Sequence, residues 1–290
     1  MFVEKNNSFQ NYEIKKGNLK FAVIGHIEWM NFLKVDQLPK PGVISHSQYS
    51  NEYPAGGGAV IAKTLSELSN YDVHFFTSLG NDYYGDQSFK ILSRMGMKLH
   101  VAWRDKSTRR GFSLIDEHGE RSITVIGERL SPNHKDKLDW NILKEMDGIF
   151  ITAADSVLFE KARIAKKLCT TPRAGLNIIN KSKVFLDCLI GSNLDPGESY
   201  SLSELSIKTK YIIKTEGEEG GIVIPGGRYK ALKNRKLKVD SYGCGDSFAA
   251  AILYGLSSDW NMDQTLSLAK IIGRDTSEYF GPYLIKDKFD

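Results

Sequence analysis

The chain has 290 residues, of which 41% are hydrophobic and 26% are charged. This is the composition of an ordinary globular protein, and the length is sufficient for one large α/β core with a small subdomain. The formal net charge of +4 is small for this length, so it gives weak support for anionic ligands and none for nucleic-acid binding.

Cysteine content and hydropathy indicate the compartment. The three cysteines, Cys169, Cys188 and Cys244, are odd in number and lack metal-site spacing, so we expect free thiols in a reducing, cytoplasmic compartment. No apolar run in the sequence approaches the length of a membrane span. Residues 1–18 lack the apolar centre of a signal peptide, which predicts a polar N-terminal arm before a domain over residues 19–290.

The first predicted elements are a buried strand and two extended segments. LKFAVIG, at residues 19–25, is typical of the first strand of a parallel sheet. The extended segments lie on either side of VDQLPKPG, residues 35–42, and Gly56, Gly57 and Gly58 then open a helix. Glycines at this place allow a substrate to approach the helix N-terminus closely.

A strand, a helix and a group of short strands follow. VHFFTSLG is apolar and β-rich, and Phe89, Leu92 and Met95 then recur at helical spacing. From residue 97 to 129 the pattern predicts three short alternating strands, LHVAWR, RRGFSLID and RSITVIGE. The turn DEHGER separates the last two and predicts a hairpin.

Residues 138–191 return to alternating strands and helices. IFITAAD predicts a strand, SVLFEKARIAKKLC at residues 156–169 an amphipathic helix, and VFLDCLIGSN a further strand. Residues 211–224 predict a strand, a tight turn and a strand, and residues 263–273 predict a helix. This alternation indicates a mainly parallel sheet with helices on both faces.

Residues 239–256, VDSYGCGDSFAAAILYGL, carry the strongest functional signal. A strand-like segment at residues 232–239 leads into a glycine turn, and a helix follows. Gly243 and Gly245 allow a tight turn, and the free N–H groups of the first helical turn suit a phosphate or a developing anion. Asp246 would repel a plain anion, but it suits removal of a proton from a hydroxyl that attacks phosphorus.

The segment DSYGCGDSF resembles the second signature of the PfkB, or ribokinase-like, family of carbohydrate kinases, usually D-T-x-G-A-G-D-x-F. The matching residues are Asp240, Gly243, Gly245, Asp246 and Phe248. The resemblance implies that Asp246 is the catalytic base and that the amides of Gly243, Cys244, Gly245 and Asp246 form the anion hole. It also places Asp240 near a loop that binds a monovalent cation in relatives, so activation by potassium is an expectation.

The resemblance covers nearly the whole chain from Leu19 onward. It implies a ribokinase-like three-layer α/β/α fold with a mainly parallel sheet and a small β lid, inserted at about residues 27–55 and 97–129. Exposed lid edges often pair in this family, which favours a homodimer through the lid.

The implied nucleotide site is similar to the family's T-x-G-x-x-G segment, whose glycines allow backbone contact with phosphate or ribose. The candidate nucleotide contacts are Lys214, Thr215, Gly217, Gly220, Ser241 and Asn193. The family's N-x-x-E motif, which helps to arrange magnesium, is degenerate or absent in GSNLDPGES, where Asn193, Asp195 and Glu198 lack its spacing. A plain polar loop is the competing interpretation of this segment.

The acceptor site departs from the family. Met30 and Val60 stand where an Asp and an Asn usually hold the sugar, so Glu28 or Asn31 is expected to replace these contacts, and His26 could also reach the pocket. The candidate acceptor contacts are Glu28, Asn31, Gly56, Gly57, Gly58 and Arg110. The lid arginines, Arg109, Arg110, Arg121 and Arg129, either meet a substrate phosphate or carboxylate or are exposed edge-strand charges.

The implied function is phosphorylation of a hydroxyl on a sugar or sugar-like small molecule, with ATP and Mg²⁺. Three alternatives stay open. A nucleoside kinase would use the same chemistry, and a non-catalytic ligand sensor or scaffold would explain Met30 and Val60. A dinucleotide-dependent oxidoreductase is disfavoured because no GxGxxG follows the first strand.

Overall fold

The computed structural model describes residues 19–69 and 73–283 of the chain. Within these residues the strands are, in chain order, β1 (Phe21–Ile24), β2 (Glu28–Lys34), β3 (Tyr49–Ala55), β4 (Val73–Gly80), β5 (Lys98–Arg104), β6 (Arg110–Ile115), β7 (Arg121–Ile126), β8 (Gly148–Ile151), β9 (Lys167–Thr170), β10 (Leu186–Ser192), β11 (Thr209–Thr215), β12 (Gly221–Ile224) and β13 (Gly227–Tyr229). The α-helices are α1 (Gly57–Leu68), α2 (Tyr83–Ser93), α3 (Ser156–Ala162), α4 (Leu176–Ser182), α5 (Cys244–Ser257) and α6 (Met262–Thr276). The polar arm predicted over residues 1–18 lies outside the described residues.

The main sheet has nine strands in the order β13-β12-β11-β10-β9-β8-β1-β4-β5. All pairs from β11 to β5 are parallel, and β12 and β13 are added in antiparallel fashion at one edge. Strand β1 is buried along its whole length, as expected for a central strand covered on both faces. Strand β1 has β4 on one side and β8 on the other. The chain builds the β4 side first and the β8 side later, so the topological switch point lies between β1 and β8.

Helices cover both faces of this sheet. Phe21 and Val23 of β1 pack into one apolar core with α1, α5 and α6. Ala22 and Ile24 point to the other face, into a second core with α3 and α4. The predicted three-layer α/β/α fold is therefore confirmed. In the two described stretches of the chain there is no helix with the length and apolarity that a membrane crossing demands.

A second sheet of four strands, in the order β3-β2-β6-β7, forms a lid. Strand β2 pairs antiparallel with β3 and parallel with β6, and β6 pairs antiparallel with β7 through the predicted hairpin. Strand β5, which the alternating pattern groups with the lid, is instead the edge strand of the main sheet. It pairs with β4 along its whole length, so the second lid insertion begins after Arg104.

Two other sequence predictions were wrong. The helix expected over residues 156–169 ends at Ala162, because Lys167–Thr170 pairs between β8 and β10 as strand β9. The strand-like segment at residues 232–239 forms no strand. The alternation of apolar and polar residues predicted a strand with one buried face. Leu232 and Leu237 are instead exposed, as are the lysines between them.

Candidate active site beneath the lid

The glycine turn before α5 has the backbone geometry expected from its sequence. Gly243 caps the helix with a φ of 76°, a left-handed conformation that favours glycine. A Cβ at this position would also lie 3.2 Å from Cγ1 of Val60. Helix α5 begins at Cys244, and the N–H groups of Gly245 and Asp246 have no hydrogen-bond partner in residues 19–69 and 73–283. The turn therefore presents free amide donors at the positive end of a helix dipole.

Asp246 lies between two helix N-termini. Its side chain is in the first turn of α5, and its Oδ1 atom lies 2.7 Å from the position that a Cβ on Gly57 would occupy. Gly57 is the first residue of α1, and a side chain there would displace the carboxylate from this position. Burial, and then the negative charge of Glu198, raise the pKa of Asp246 to about 7, against the opposing charges of Arg121 and Arg173.

Glu28 and His26 form the floor of the site at the switch point. Glu28 Oε1 lies 3.3 Å from Nε of Arg109 and 3.6 Å from Nε2 of His26. His26 Nδ1 lies 3.5 Å from Oγ1 of Thr152, which follows β8. Burial, and then the charges of Arg129, Arg109 and Arg173, hold the pKa of His26 well below its usual value. His26 is therefore neutral. Its ring lies beneath Gly56, and a Cβ on Gly56 would be 3.3 Å from that ring.

The lid strands separate the predicted acceptor residues. Glu28 lies on the inner face of β2, whereas Asn31 is three residues further and therefore lies on the opposite face. Arg110 also lies on the outer face, where its Nη1 donates to the Tyr84 hydroxyl at 3.2 Å and its guanidinium stacks on that ring. The alternation of a strand thus places Arg109, and not Arg110, next to Glu28.

The two apolar departures from the family pattern are core side chains. Met30 is fully buried, and its sulfur fills the space that a Cβ on Gly111 would occupy, 2.5 Å away. Val60 is 1% exposed and packs beneath the turn at Gly243. Both therefore fill space between elements of the fold.

Arg173 and Glu198 were not among the predicted site residues. Arg173 follows β9, and its Nε donates to Glu198 Oε1 at 2.8 Å, while Glu198 Oε2 accepts the N–H of Ser192 at 2.7 Å. Arg173 also pairs with Asp195. Arg173 could have been found as a basic residue just after a parallel strand, because ligands bind at the carboxyl ends of such strands. The wrong helix prediction over residues 156–169 concealed strand β9.

A second cleft lies on the other side of the turn, between β11, β13, α5 and α6. It brings together six predicted residues, which are Thr215, Gly217, Gly220, Ser241, Cys244 and Gly245. The rings of Tyr229 and Phe248 stack there with centroids 6.0 Å apart, and Lys238, Lys270 and Arg274 supply positive charge. The sequence interpretation did not assign the two aromatic and three basic residues to the nucleotide, because all of them except Phe248 lie outside the recognised motifs.

Two predicted nucleotide contacts do not line this cleft. Lys214 alternates with Thr215 along β11, so its ammonium group lies over the ring of Tyr200 and donates to the Tyr200 carbonyl at 3.3 Å. Asn193 donates to Glu216 Oε1 at 3.0 Å.

Asp240 is fully buried behind the turn, where its oxygens accept the N–H groups of Tyr242 at 2.8 Å and Gly281 at 3.1 Å.

The chain is similar to known sugar kinases over most of its length. A ribokinase of Lactococcus lactis is 24% identical over 280 residues, which cover 90% of this chain and 92% of the relative. An ATP-dependent ribose-1-phosphate kinase of Halopiger xanaduensis is 22% identical over 272 residues, with 87% of this chain and 90% of the relative covered. Among solved structures, an Arabidopsis thaliana ribokinase complexed with ribose and ATP superposes with a TM-score of 0.70, at 17% identity, and covers 91% of this chain and 94% of that one.

The family model described as pfkB family carbohydrate kinase matches residues 18–184, more than half of the chain. The predicted ribokinase-like identity is thereby confirmed, and the protein is an enzyme of the phosphotransferase class with an alcohol group as acceptor. The chain belongs to the PfkB family of carbohydrate kinases.

Proposed function

We propose that the protein transfers the γ-phosphoryl group of ATP to a hydroxyl of a sugar or sugar-like small molecule, with Asp246 as the catalytic base. The observation that carries this proposal is the position of Asp246 between the N-termini of α1 and α5. A carboxylate with a pKa of about 7 is matched to proton transfer near neutral pH.

In the proposed reaction, Asp246 takes the proton of the acceptor hydroxyl while the hydroxyl oxygen forms a bond to the γ-phosphorus. The bond from that phosphorus to the bridging oxygen breaks, and its electron pair leaves with ADP. The free N–H groups of Gly245 and Asp246 donate to the transferred phosphoryl oxygens, where negative charge is concentrated. The lid excludes water, which limits ATP hydrolysis.

The cleft between β11 and α6 suits the nucleotide. Its stacked Tyr229 and Phe248 provide an apolar wall for a base, and Lys238 and Arg274 provide charge for phosphates. The relatives that bind ATP by name, the Arabidopsis ribokinase and the Halopiger kinase, support ATP as the donor.

Mg²⁺ fits this site as a companion of the triphosphate. In the described part of the chain no three His, Cys, Asp or Glu side chains cluster to cage a metal. Mg²⁺ is usually held by one or two carboxylates together with phosphates and water. Glu198 is the carboxylate that would hold the ion, since its charge acts on Asp246; in the free protein its oxygens accept from Arg173 and from the Ser192 N–H. When bound, the ion would neutralise the phosphates.

A monovalent cation would suit Asp240. Among the described residues no lysine or arginine lies within ion-pair distance of this fully buried carboxylate, whose pKa is raised by burial. A potassium ion would compensate the buried charge. We therefore expect kcat to fall when KCl is replaced by tetramethylammonium chloride at equal ionic strength.

The test of the proposed function is ADP release in the presence of a panel of sugars, sugar phosphates, sugar acids, polyols and nucleosides. One or more acceptors should raise ADP release in the wild type, and Asp246→Asn should abolish that increase. Asp105→Asn, the same change at an exposed position, is the matched control and should behave as wild type. If ligands raise the melting temperature of wild type and Asp246→Asn alike but none is turned over, the protein is a ligand sensor and the proposal fails.

A further inference from the structure

Three arginines from separate segments of the chain meet at the acceptor side of the site. Arg109 precedes β6, Arg129 follows β7, and Arg173 follows β9. Their charges all act on His26, and the charges of Arg109 and Arg173 also act on Arg129. Like charges repel, so this arrangement needs either carboxylates or a bound anion to compensate it.

Two of the three arginines have carboxylate partners. Arg173 is paired with Glu198 and Asp195, and Arg109 lies 3.3 Å from Glu28. Even so, the Nε–H of Arg109 is buried without a hydrogen-bond partner, because its geometry toward Glu28 is poor.

Arg129 is the cation that remains. Within the described residues no carboxylate lies within 4.0 Å of its guanidinium, whose Nη1 donates to the Arg173 carbonyl at 2.9 Å. Its Nε–H is buried and has no hydrogen-bond partner in the described chain. Buried donors are rarely left unpaired in a native protein, so this N–H is available to an acceptor on a bound ligand.

The space beside Arg129 can hold that group. Arg129, Arg173, Glu198 and Tyr200 line a cavity of about 280 Å³, several times the volume of a water molecule. The cleft proposed for the nucleotide shares none of these residues, and Glu198, the proposed metal contact, lines only this cavity. The charge of Glu28 acts on Arg129, and the charge of Arg129 acts on His26, so Arg129 lies on the side of the predicted acceptor contacts.

We propose that the acceptor carries an anionic group, a phosphate monoester or a carboxylate, which Arg129 binds in this cavity and the nearby charge of Arg109 attracts. This inference rests on the proposed function and names its substrate class: a sugar phosphate or a sugar acid with a free hydroxyl. A guanidinium presents two parallel N–H donors, which match the oxygens of either group.

The kinetic test compares each anionic acceptor with its neutral parent sugar in the wild type and in Arg129→Gln. The substitution should raise KM for the anionic acceptor roughly tenfold or more, since a charge-assisted hydrogen bond is lost. KM for ATP and kcat/KM for the neutral sugar should change less than about twofold. Arg110→Gln is the matched control, a lid arginine on the outer face against Tyr84, and should leave all these constants unchanged.

Two outcomes would overturn the inference. If neutral sugars are used as well as their anionic counterparts, no anionic group is recognised. If Arg129→Gln raises KM for ATP or lowers kcat equally for all acceptors, the arginine serves the transferred phosphoryl group instead.

A binding measurement separates this inference from the proposed function. Calorimetric titration without ATP uses glucose 6-phosphate, ribose 5-phosphate and gluconate as probes on wild type, Asp246→Asn and Arg129→Gln. Asp246→Asn should bind anionic probes as wild type does, whereas Arg129→Gln should lose binding while its melting temperature stays near that of wild type. Anion binding that survives in Arg129→Gln contradicts the anion site, whatever the turnover assay shows.

Discussion

The negative charge of Glu198 acts on Asp246 and, after burial, is the largest effect that raises the pKa of that carboxyl. The two residues come from distant parts of the chain, a short 3₁₀ turn at Pro196–Glu198 and the first turn of α5. Arg173, which binds Glu198 directly, has the opposite effect on Asp246. Burial therefore sets most of the basicity of the proposed base, and residues on the loops after β9 and β10 adjust it.

This relationship predicts the pH dependence of the reaction. Asp246 must be deprotonated to accept a proton, so kcat/KM should rise with pH and level off above a pKa of about 7. In Glu198→Gln a negative charge is removed, so the pKa of Asp246 falls and the rise should move to lower pH. The measurement is kcat/KM from pH 5 to 9.

Glu160→Gln, the same change on the exposed side of α3, is the control for that profile. Glu198→Gln also removes a proposed contact to the metal ion, so kcat itself is expected to fall. Only the position of the pH limb tests the electrostatic relationship, and a limb that stays near 7 in Glu198→Gln would contradict it.

Asp246 should also reduce the stability of the free protein at neutral pH. Its pKa is about 7 in the folded state and about 3.9 in an unfolded chain, so the folded state binds more protons between these values. The unfolding free energy is therefore lowered as pH rises from about 4 to about 7. Asp246→Asn removes this effect and should be more stable than wild type at pH 8, by up to about 4 kcal/mol, with the difference vanishing near pH 4.

Urea unfolding at pH 4, 6 and 8 without nucleotide measures this difference, with Asp105→Asn as the exposed control. An Asp246→Asn protein that is less stable than wild type at pH 8 would mean that the carboxylate makes favourable contacts in the free protein. The raised pKa would then be wrong.

The position of Asp246 in the first turn of α5 could be predicted from the local chemistry of the turn. A left-handed Gly243, a helix N-terminus and an acid in its first turn are properties of adjacent residues, so the sequence contains them directly. Glu198 and Arg173 were not predictable in this way. Their positions depend on a 3₁₀ turn that brings Glu198 back to Ser192, and on strand β9, which was mistaken for the end of a helix.

The lid illustrates a second limit of the sequence. Its strands and hairpin were predicted. Successive side chains of a strand point to opposite faces, however, so a shift of one residue exchanges the side chains that face the site with those that face away. Arg109 and Arg110 are adjacent, yet one lies 3.3 Å from Glu28 and the other stacks on Tyr84. Only the pairing of β2 with β6 decides which arginine enters the site.

Gly57 should be required for activity and not for folding. An alanine Cβ there would meet Oδ1 of Asp246 at 2.7 Å, and the end of that flexible side chain can move away. Displacement of the base by about 1 Å should lower kcat on the order of 100-fold. The melting temperature should stay near that of wild type, because no backbone atom is pushed aside.

Gly58→Ala is the matched comparison, since its Cβ would lie 2.8 Å from the backbone carbonyl of His26, which cannot move as easily. That variant should lose stability as well as activity. Wild-type kcat in Gly57→Ala would show that Asp246 need not hold the position seen here.

Strand β7 predicts association through the lid. It is an edge strand, all six of its residues are exposed, and Ile123 and Val125 are 42% and 39% exposed on the same face of the lid. An unpaired edge with exposed β-branched residues is a template for pairing with another strand, and a second copy of this lid offers the same edge.

We expect sedimentation velocity to show a homodimer. The double variant Ile123→Asp/Val125→Asp should be a monomer, because two buried charges would face each other across the symmetric contact. Ile164→Asp, at a 55% exposed position on the main domain, should remain dimeric, and a monomeric wild type at micromolar concentration would exclude this use of the lid.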